Sequence, residues 1–148
     1  MVAFHKVNSV TALKPYMLIV QFAEGVSKTY DVSMLFDKWP AFQALQSNDA
    51  LFARVHVDVG GHGIVWDDNL DLSCNELFRN GQVVDTEFDG LMACSDATAI
   101  WGLHESTLRK AIAYGRLRSG VDVCKFGKQW VVSRDAMIRE FGPLDSHL

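Results

Sequence analysis

The 148-residue sequence predicts an α+β fold in two parts. Residues 1–88 form a β-meander domain with short helices, and residues 89–148 form a smaller, mainly helical domain. Three observations carry this expectation. Apolar runs such as YMLIVQF, separated by Gly, Pro and acidic turn residues, fill the first third of the chain. Leu108, Ala111 and Ile112 recur at helical spacing in the last third. Two apolar segments flanking Gly127-Lys128 then read as a β-hairpin between helical stretches.

Along the first domain, residues 5–13 read as a strand and Lys14-Pro15 as a turn. Residues 16–22 form a second strand, Ala23-Glu24-Gly25 turns the chain, and residues 27–32 return it. Residues 33–36 and 40–45 are expected as short helices, with Pro40 at a first helical position, where its missing N–H is not needed. Asn48 or Asp49 is placed to cap a further turn through Leu51 and Phe52. Residues 55–59 and 63–66 read as a second pair of strands around Gly60-Gly61. Ser73-Cys74-Asn75-Glu76 is a capping box that opens a helix ending at Asn80-Gly81. Residues 83–89 read as a short linker with one more strand.

The second domain is punctuated just as clearly. Ser95 is placed to cap a helix through Ala97, Ala99, Ile100 and Trp101, and Gly102 tolerates the left-handed backbone of a sharp exit. Leu103 fills the gap between this helix and the next. His104 or Ser106 starts that second helix, which runs to Tyr114 and stops at Gly115. Its core face is Leu108, Ala111 and Ile112, leaving Ser106, Thr107, Arg109, Lys110 and Ala113 outward. Small polar residues followed by two cations suit close approach to a DNA major groove. The hairpin carries Lys125, Lys128 and Gln129, the chemistry of a wing lying along a phosphate backbone. Ser133 then caps a last helix that closes at Gly142-Pro143. Trp39, Trp66, Trp101 and Trp130 are expected as packing residues, with Trp101 and Trp130 meeting inside the second domain.

Two resemblances follow from these residues. ATAIWGLHESTLRKAIAYGRL with KFGKQWVVSRDAM resembles the excisionase and MerR-type winged helix-turn-helix, over about a third of the chain. The link into its wing, residues 118–122, is longer than in the shortest members. PYMLIVQFAEGVSKTYDVSMLFD with GIVWDDNLDLSCNELFRNG resembles a small bacterial domain of unknown function, over about 80 residues. That second resemblance implies a domain found alone or fused to a C-terminal helix-turn-helix. It also implies frequent neighbourhood with small toxin-like proteins, and hence an antitoxin or autoregulatory role.

Charge is uneven along the chain. The total is −4, but residues 1–88 carry six Lys/Arg against eleven Asp/Glu, a net −5. Residues 104–134 carry Arg109, Lys110, Arg116, Arg118, Lys125, Lys128 and Arg134 against Glu105 and Asp122, a net +5. A basic segment on an acidic protein is the footprint of a nucleic-acid surface. With 49% hydrophobic residues the chain can bury a core, and no apolar run is long enough to span a membrane. The N-terminus lacks the plan of a signal peptide, and the three cysteines are widely spaced, so a cytoplasmic location with reduced thiols is expected. No cofactor and no metal site are expected.

The expected function is a small bacterial transcriptional regulator, not an enzyme. It binds double-stranded DNA through Ser106, Thr107, Arg109, Lys110, Arg116, Lys125, Lys128 and Gln129. The acidic first domain then binds a toxin-like protein partner or makes a homodimer. Two alternatives stand beside it. One is a protein-interaction module without DNA binding. The other is a metal-dependent enzyme using the Asp/His cluster of residues 56–71, with His56, Asp58, His62, Asp67, Asp68 and Asp71.

Overall fold

The computed structural model describes residues 4–144. The ends of the two expected domains, residues 1–3 and 145–148, lie outside the described residues. The chain forms two units, Phe4–Phe22 with Val26–Thr86, and the chain from Glu87 onward with the turn Ala23–Gly25.

In the first unit, β1 (Val7–Leu13), β2 (Met17–Phe22) and β3 (Ser27–Asp31) form an antiparallel meander, with Val10 opposite Val20 and Ile19 opposite Thr29. Strand alternation sends Leu18, Val20 and Phe22 to one buried face. Two 3₁₀ turns follow, Val32–Leu35 and Pro40–Leu45. The short helices expected there are 3₁₀ turns, a form that brief helical connectors commonly take. Next comes α1 (Asp49–Phe52), capped by Asn48, whose side chain accepts from the Leu51 N–H.

A second antiparallel sheet is built from β4 (His56–Val57), β5 (Gly63–Asp67) and β6 (Leu70–Ser73). β4 is shorter than the strand expected over 55–59. The Asp58 N–H still donates to the Gly63 carbonyl at 2.9 Å, but its side chain accepts from the Val59 N–H and Gly60 then turns the chain at φ +78°. β6 is a strand that the sequence does not announce, lying between the strand expected over 63–66 and the capping box that starts at Ser73. After it, α2 (Cys74–Asn80) begins at Ser73, which accepts from the Glu76 N–H at 3.1 Å. Only this half of the capping box forms. The Glu76 carboxylate accepts instead from Tyr30 Oη at 2.8 Å and Asn80 Nδ2 at 2.7 Å. β7 (Gln82–Val83) then adds to the first sheet, giving the order β1-β2-β3-β7.

Leu18, Val20, Tyr30, Leu45, Ile64, Trp66 and Leu77 belong to one continuous buried core. Its two aromatic polar groups are satisfied. Trp66 Nε1 donates to the Phe52 carbonyl at 3.1 Å, and the Tyr30 hydroxyl donates to Glu76. Burial, helped by the Glu76 carboxylate, holds Tyr30 in its protonated form far above the usual phenol range.

The second unit orders β8 (Leu91–Ala93), α3 (Cys94–Trp101), α4 (Glu105–Ala113), β9 (Val123–Phe126), β10 (Gln129–Ser133) and α5 (Arg134–Phe141). The strands form a sheet in the order β8-β10-β9, with Met92 opposite Val132. β8 is short, and the sequence assigns Leu91–Ala93 to no element, the linker with its one more strand being expected at 83–89. It exists because β10 supplies its ladder partner from forty residues away. It also displaces the expected cap. The chain passes directly from β8 into α3, so Ala93 holds the N-cap position without a side-chain bond, and Ser95 falls in the first turn. Ser133 caps α5 as expected, accepting from the Ala136 N–H at 3.1 Å. The core is Met92, Ala97, Leu108, Ala111, Leu117, Val123, Val132, Ala136 and Met137.

Gly102 ends α3 at φ +65° and ψ 36°, and nothing lies within 4 Å of where its Cβ would stand. Gly102→Ala therefore tests backbone strain alone. It is expected to cost about 1–2 kcal/mol, read as a lowered urea midpoint. An unchanged midpoint would mean that the turn relaxes into another conformation.

Candidate nucleic-acid interface

The turn between α3 and α4 is held by backbone bonds. Leu103 N–H donates to the Thr98 carbonyl at 2.8 Å, and Gly102 N–H to the Ala99 carbonyl at 3.3 Å. The Leu103 side chain packs against the core between the two helices. α4 then buries Leu108 and Ala111 and leaves Ser106, Arg109, Lys110 and Ala113 exposed. Thr107 is half-buried, not fully outward. His104 occupies the N-cap position without a side-chain bond.

Beyond α4, Leu117 is fully buried and anchors the chain before the link into the hairpin. That link is organised by a carboxylate. Asp122 is 7% exposed. It accepts from Arg139 Nη2 at 2.9 Å and from the Arg118 N–H at 2.8 Å, while its own carbonyl accepts from the Ser133 N–H at 2.9 Å. The hydrogen bond from Arg139, followed by that from Arg118, holds the Asp122 carboxyl down at about 2. Glu140 is drawn below its ordinary value by Arg139 and Arg116 in turn, and Arg139 is held protonated by Asp122 and Glu140. The network joins residues 116–122 to α5 and so fixes the root of the hairpin. The longer link noted in the sequence is the segment this network ties down.

The hairpin pairs Lys125 with Trp130 and Phe126 with Gln129 across Gly127-Lys128. Gly127 has φ +62°, the only positive φ in this two-residue loop, as in a type II′ turn. Lys125 Nζ lies 5.9 Å from the centre of the Trp130 ring. Trp130 does not meet Trp101 inside the core as expected. It is 38% exposed, whereas Trp101 donates to the Gly142 carbonyl at 2.9 Å. Alternation in β10 puts Trp130 on the same face as the buried Val132, but two residues further out, where the small core has ended.

The residues expected at a DNA surface fall into three placements. Arg109, Lys128 and Gln129 line one cleft between α3, α4 and the hairpin. Ser106 and Lys110 stand on exposed positions of α4, and Lys125 stands on β9 beside Trp130. Arg116 is placed apart from these. Its Nε donates to Glu140 at 3.1 Å and its guanidinium lies 5.3 Å from the Phe141 ring. Two other cations of the basic segment are also engaged, Arg118 with Asp122 at 3.6 Å and Arg134 with Glu24 at 3.9 Å. Arg109, Lys110, Lys125 and Lys128 make no ion pair among the described residues. The sequence reading missed the Asp122–Arg139–Glu140–Arg116 network. Its signal was an acid four residues after Arg118 facing an Arg-Glu pair on the last helix, a pattern legible only once the two are folded together.

Residues 7–82, just over half of the chain, match the family model described as protein of unknown function DUF2442. The chain belongs to this family. After its DUF2442 region, residues 84–146 match a helix-turn-helix domain model, which agrees with α3, the Gly102 turn and α4. No curated protein matches the chain. Among solved structures it is similar to a candidate DNA-binding protein from Nitrosomonas europaea. The identity is 20%, the TM-score 0.47, and the match covers 97% of this chain and 81% of that one.

Within the DUF2442 region, the Asp/His cluster is spread over separate local tasks. Asp58 bonds the Val59 N–H and Asp67 the Asn69 N–H, both at 2.8 Å. His62 stacks on Phe4 at 4.3 Å, and His56 Nδ1 sits 3.1 Å from the Arg54 carbonyl. Among the described residues no three His, Cys, Asp or Glu side chains group so as to hold a metal ion. No helix among them is long and apolar enough to cross a membrane.

The Asp122 network makes a pH prediction. In the fold this carboxyl titrates at about 2, against 3.8 for the ordinary side chain. A depressed folded-state pKa stabilises fully above the unfolded value, and that stabilisation is lost as the pH falls from 3.8 toward 2. Asp122→Asn is therefore expected to lower the melting temperature at neutral pH, with the deficit shrinking through that acidic window. Circular dichroism melts check this, and a deficit independent of pH would count against the network.

Proposed function

We propose that this chain is a DNA-binding transcriptional regulator and not an enzyme. In this reading α4 enters the major groove, with Ser106, Thr107, Arg109 and Lys110 toward bases and nearby phosphates. The β9–β10 hairpin acts as a wing, with Lys125, Lys128 and Gln129 on the backbone. The observation that carries the reading is the sorting of cations within a helix-turn-helix domain. Among the described residues, Arg116, Arg118 and Arg134 are matched by carboxylates, whereas the four cations of α4 and the hairpin are not. Arg116 is thereby reassigned from DNA contact to structural support.

Four phosphate contacts give limited affinity, so a second copy or a second attachment is needed for tight binding. The acidic first domain, net −5 over residues 1–88, supplies that role as a homodimer contact or as the face that holds a basic, toxin-like partner. The chain then acts as an antitoxin-like autoregulator.

The test is fluorescence anisotropy of the purified chain on fragments of its own upstream DNA across a salt series. The slope of log affinity against log salt is expected at about −3 to −4 per chain, the value for four phosphate contacts. Arg109→Ala is expected to cost about 1–3 kcal/mol of binding. Arg116→Ala is expected to leave the slope unchanged while lowering the melting temperature. Absence of binding at low salt sinks the reading. Equal losses for Arg109→Ala and Arg116→Ala favour a charge-driven contact with an acidic protein instead.

A further inference from the structure

The cleft between α3, α4 and the hairpin has a volume of 460 Å³. That lies within the range of about 300–1,000 Å³ typical of small-molecule sites. Its floor is apolar, made by Leu108, Ile112, Cys94 and the Trp130 ring. Burial pushes the Cys94 thiol up to about 11, so it stays neutral and behaves as a small apolar surface. Thr98 is the buried polar group of the lining. Its hydroxyl donates to the Ser95 carbonyl at 2.9 Å, so it needs no further acceptor. The rim is charged, with Arg109 and Lys128 against the single carboxylate of Glu105. Trp130 belongs by strand alternation to the core face, yet it is left at the open end of the core with Lys125 beside it.

We propose that this cleft is a binding site for a small aromatic carboxylate, its ring on the Trp130 face above Leu108 and Ile112 and its carboxylate at Arg109 and Lys128. An aromatic ring matches the indole face and the apolar floor. An anion is selected over a cation because the rim carries two positive groups to one negative and neither cation has an internal ion pair among the described residues. The same two cations serve DNA in the function proposed above, so the acid and DNA compete for them. That regulatory consequence rests on the DNA-binding reading, whereas occupancy of the cleft does not.

The test uses indole-3-acetate as probe and its neutral amide as control, followed by ¹H–¹⁵N correlation spectra of the full chain. The indole N–H signal of Trp130 is identified by its loss in Trp130→Phe. Saturable movement of that signal with the acid is expected, with Trp66 unmoved. The amide is expected to bind roughly two- to fivefold more weakly, the span of an exposed ion pair. Arg109→Gln, which leaves only Lys128 for the carboxylate, is expected to shrink that difference, and Ile112→Phe to reduce binding of both by filling the cleft. Should Ile112→Phe fail to fold, the surface variant Arg109→Gln still decides. No movement of Trp130 at millimolar acid, or equal affinity for acid and amide, overturns the proposal. In the anisotropy assay the acid is expected to displace DNA. A chain that binds no DNA even without acid refutes the DNA reading and leaves the spectral result to decide the cleft.

Discussion

The second unit depends on one buried carboxylate. A core of nine buried apolar residues is small, and the hairpin contributes only Val123 and Val132 to it. Packing alone leaves such a hairpin weakly aimed. Asp122 supplies the missing constraint by joining three parts of the chain at once, the Arg118 turn, the start of α5 at Ser133 and the Arg139 guanidinium. Hydrogen bonds to charged groups are stronger and more directional than apolar contact. Because Asp122 immediately precedes Val123, whatever orients its carboxylate also orients β9.

Ion pairing also sorts the charges. Seven cations in a short segment look alike in sequence, and a count of them overstates the surface available to an anionic partner. Folding commits three to carboxylates, Arg116 to Glu140, Arg118 to Asp122 within the segment, and Arg134 to Glu24. What remains is concentrated on α4 and the hairpin. Electrostatic footprint and fold stability are thus carried by different members of one basic stretch.

Local signals were legible in the sequence where they were self-contained. Gly102, the 3.6-residue spacing of α4, the Gly127 turn and the Ser133 cap each act within a few residues, and each is found where it was read. So is the meander, whose alternation is strong enough to set its own register. Features that depend on a distant partner were missed or misread. β8 has three residues and exists through β10. The Glu76 side chain abandoned its capping box for a tyrosine 46 residues away. Trp130 was read by its hydrophobicity, but its exposure is decided by where a small core runs out. In the candidate site, the helix and hairpin cations were legible one by one, whereas the cleft that brings Arg109, Lys128 and Gln129 together depends on the angle between elements.

The three thiols are graded by the fold, with Cys74 buried, Cys94 half-buried and Cys124 exposed on β9. Cys124 alternates with the core-facing Val123 and so looks away from the cleft. In an oxidising buffer, Cys124 is therefore the thiol expected to join two copies first, at the backs of their hairpins. Such a covalent pair would have the mass of a dimer whatever the native assembly is. Sizing the native assembly requires a reductant, or a serine in place of this one cysteine.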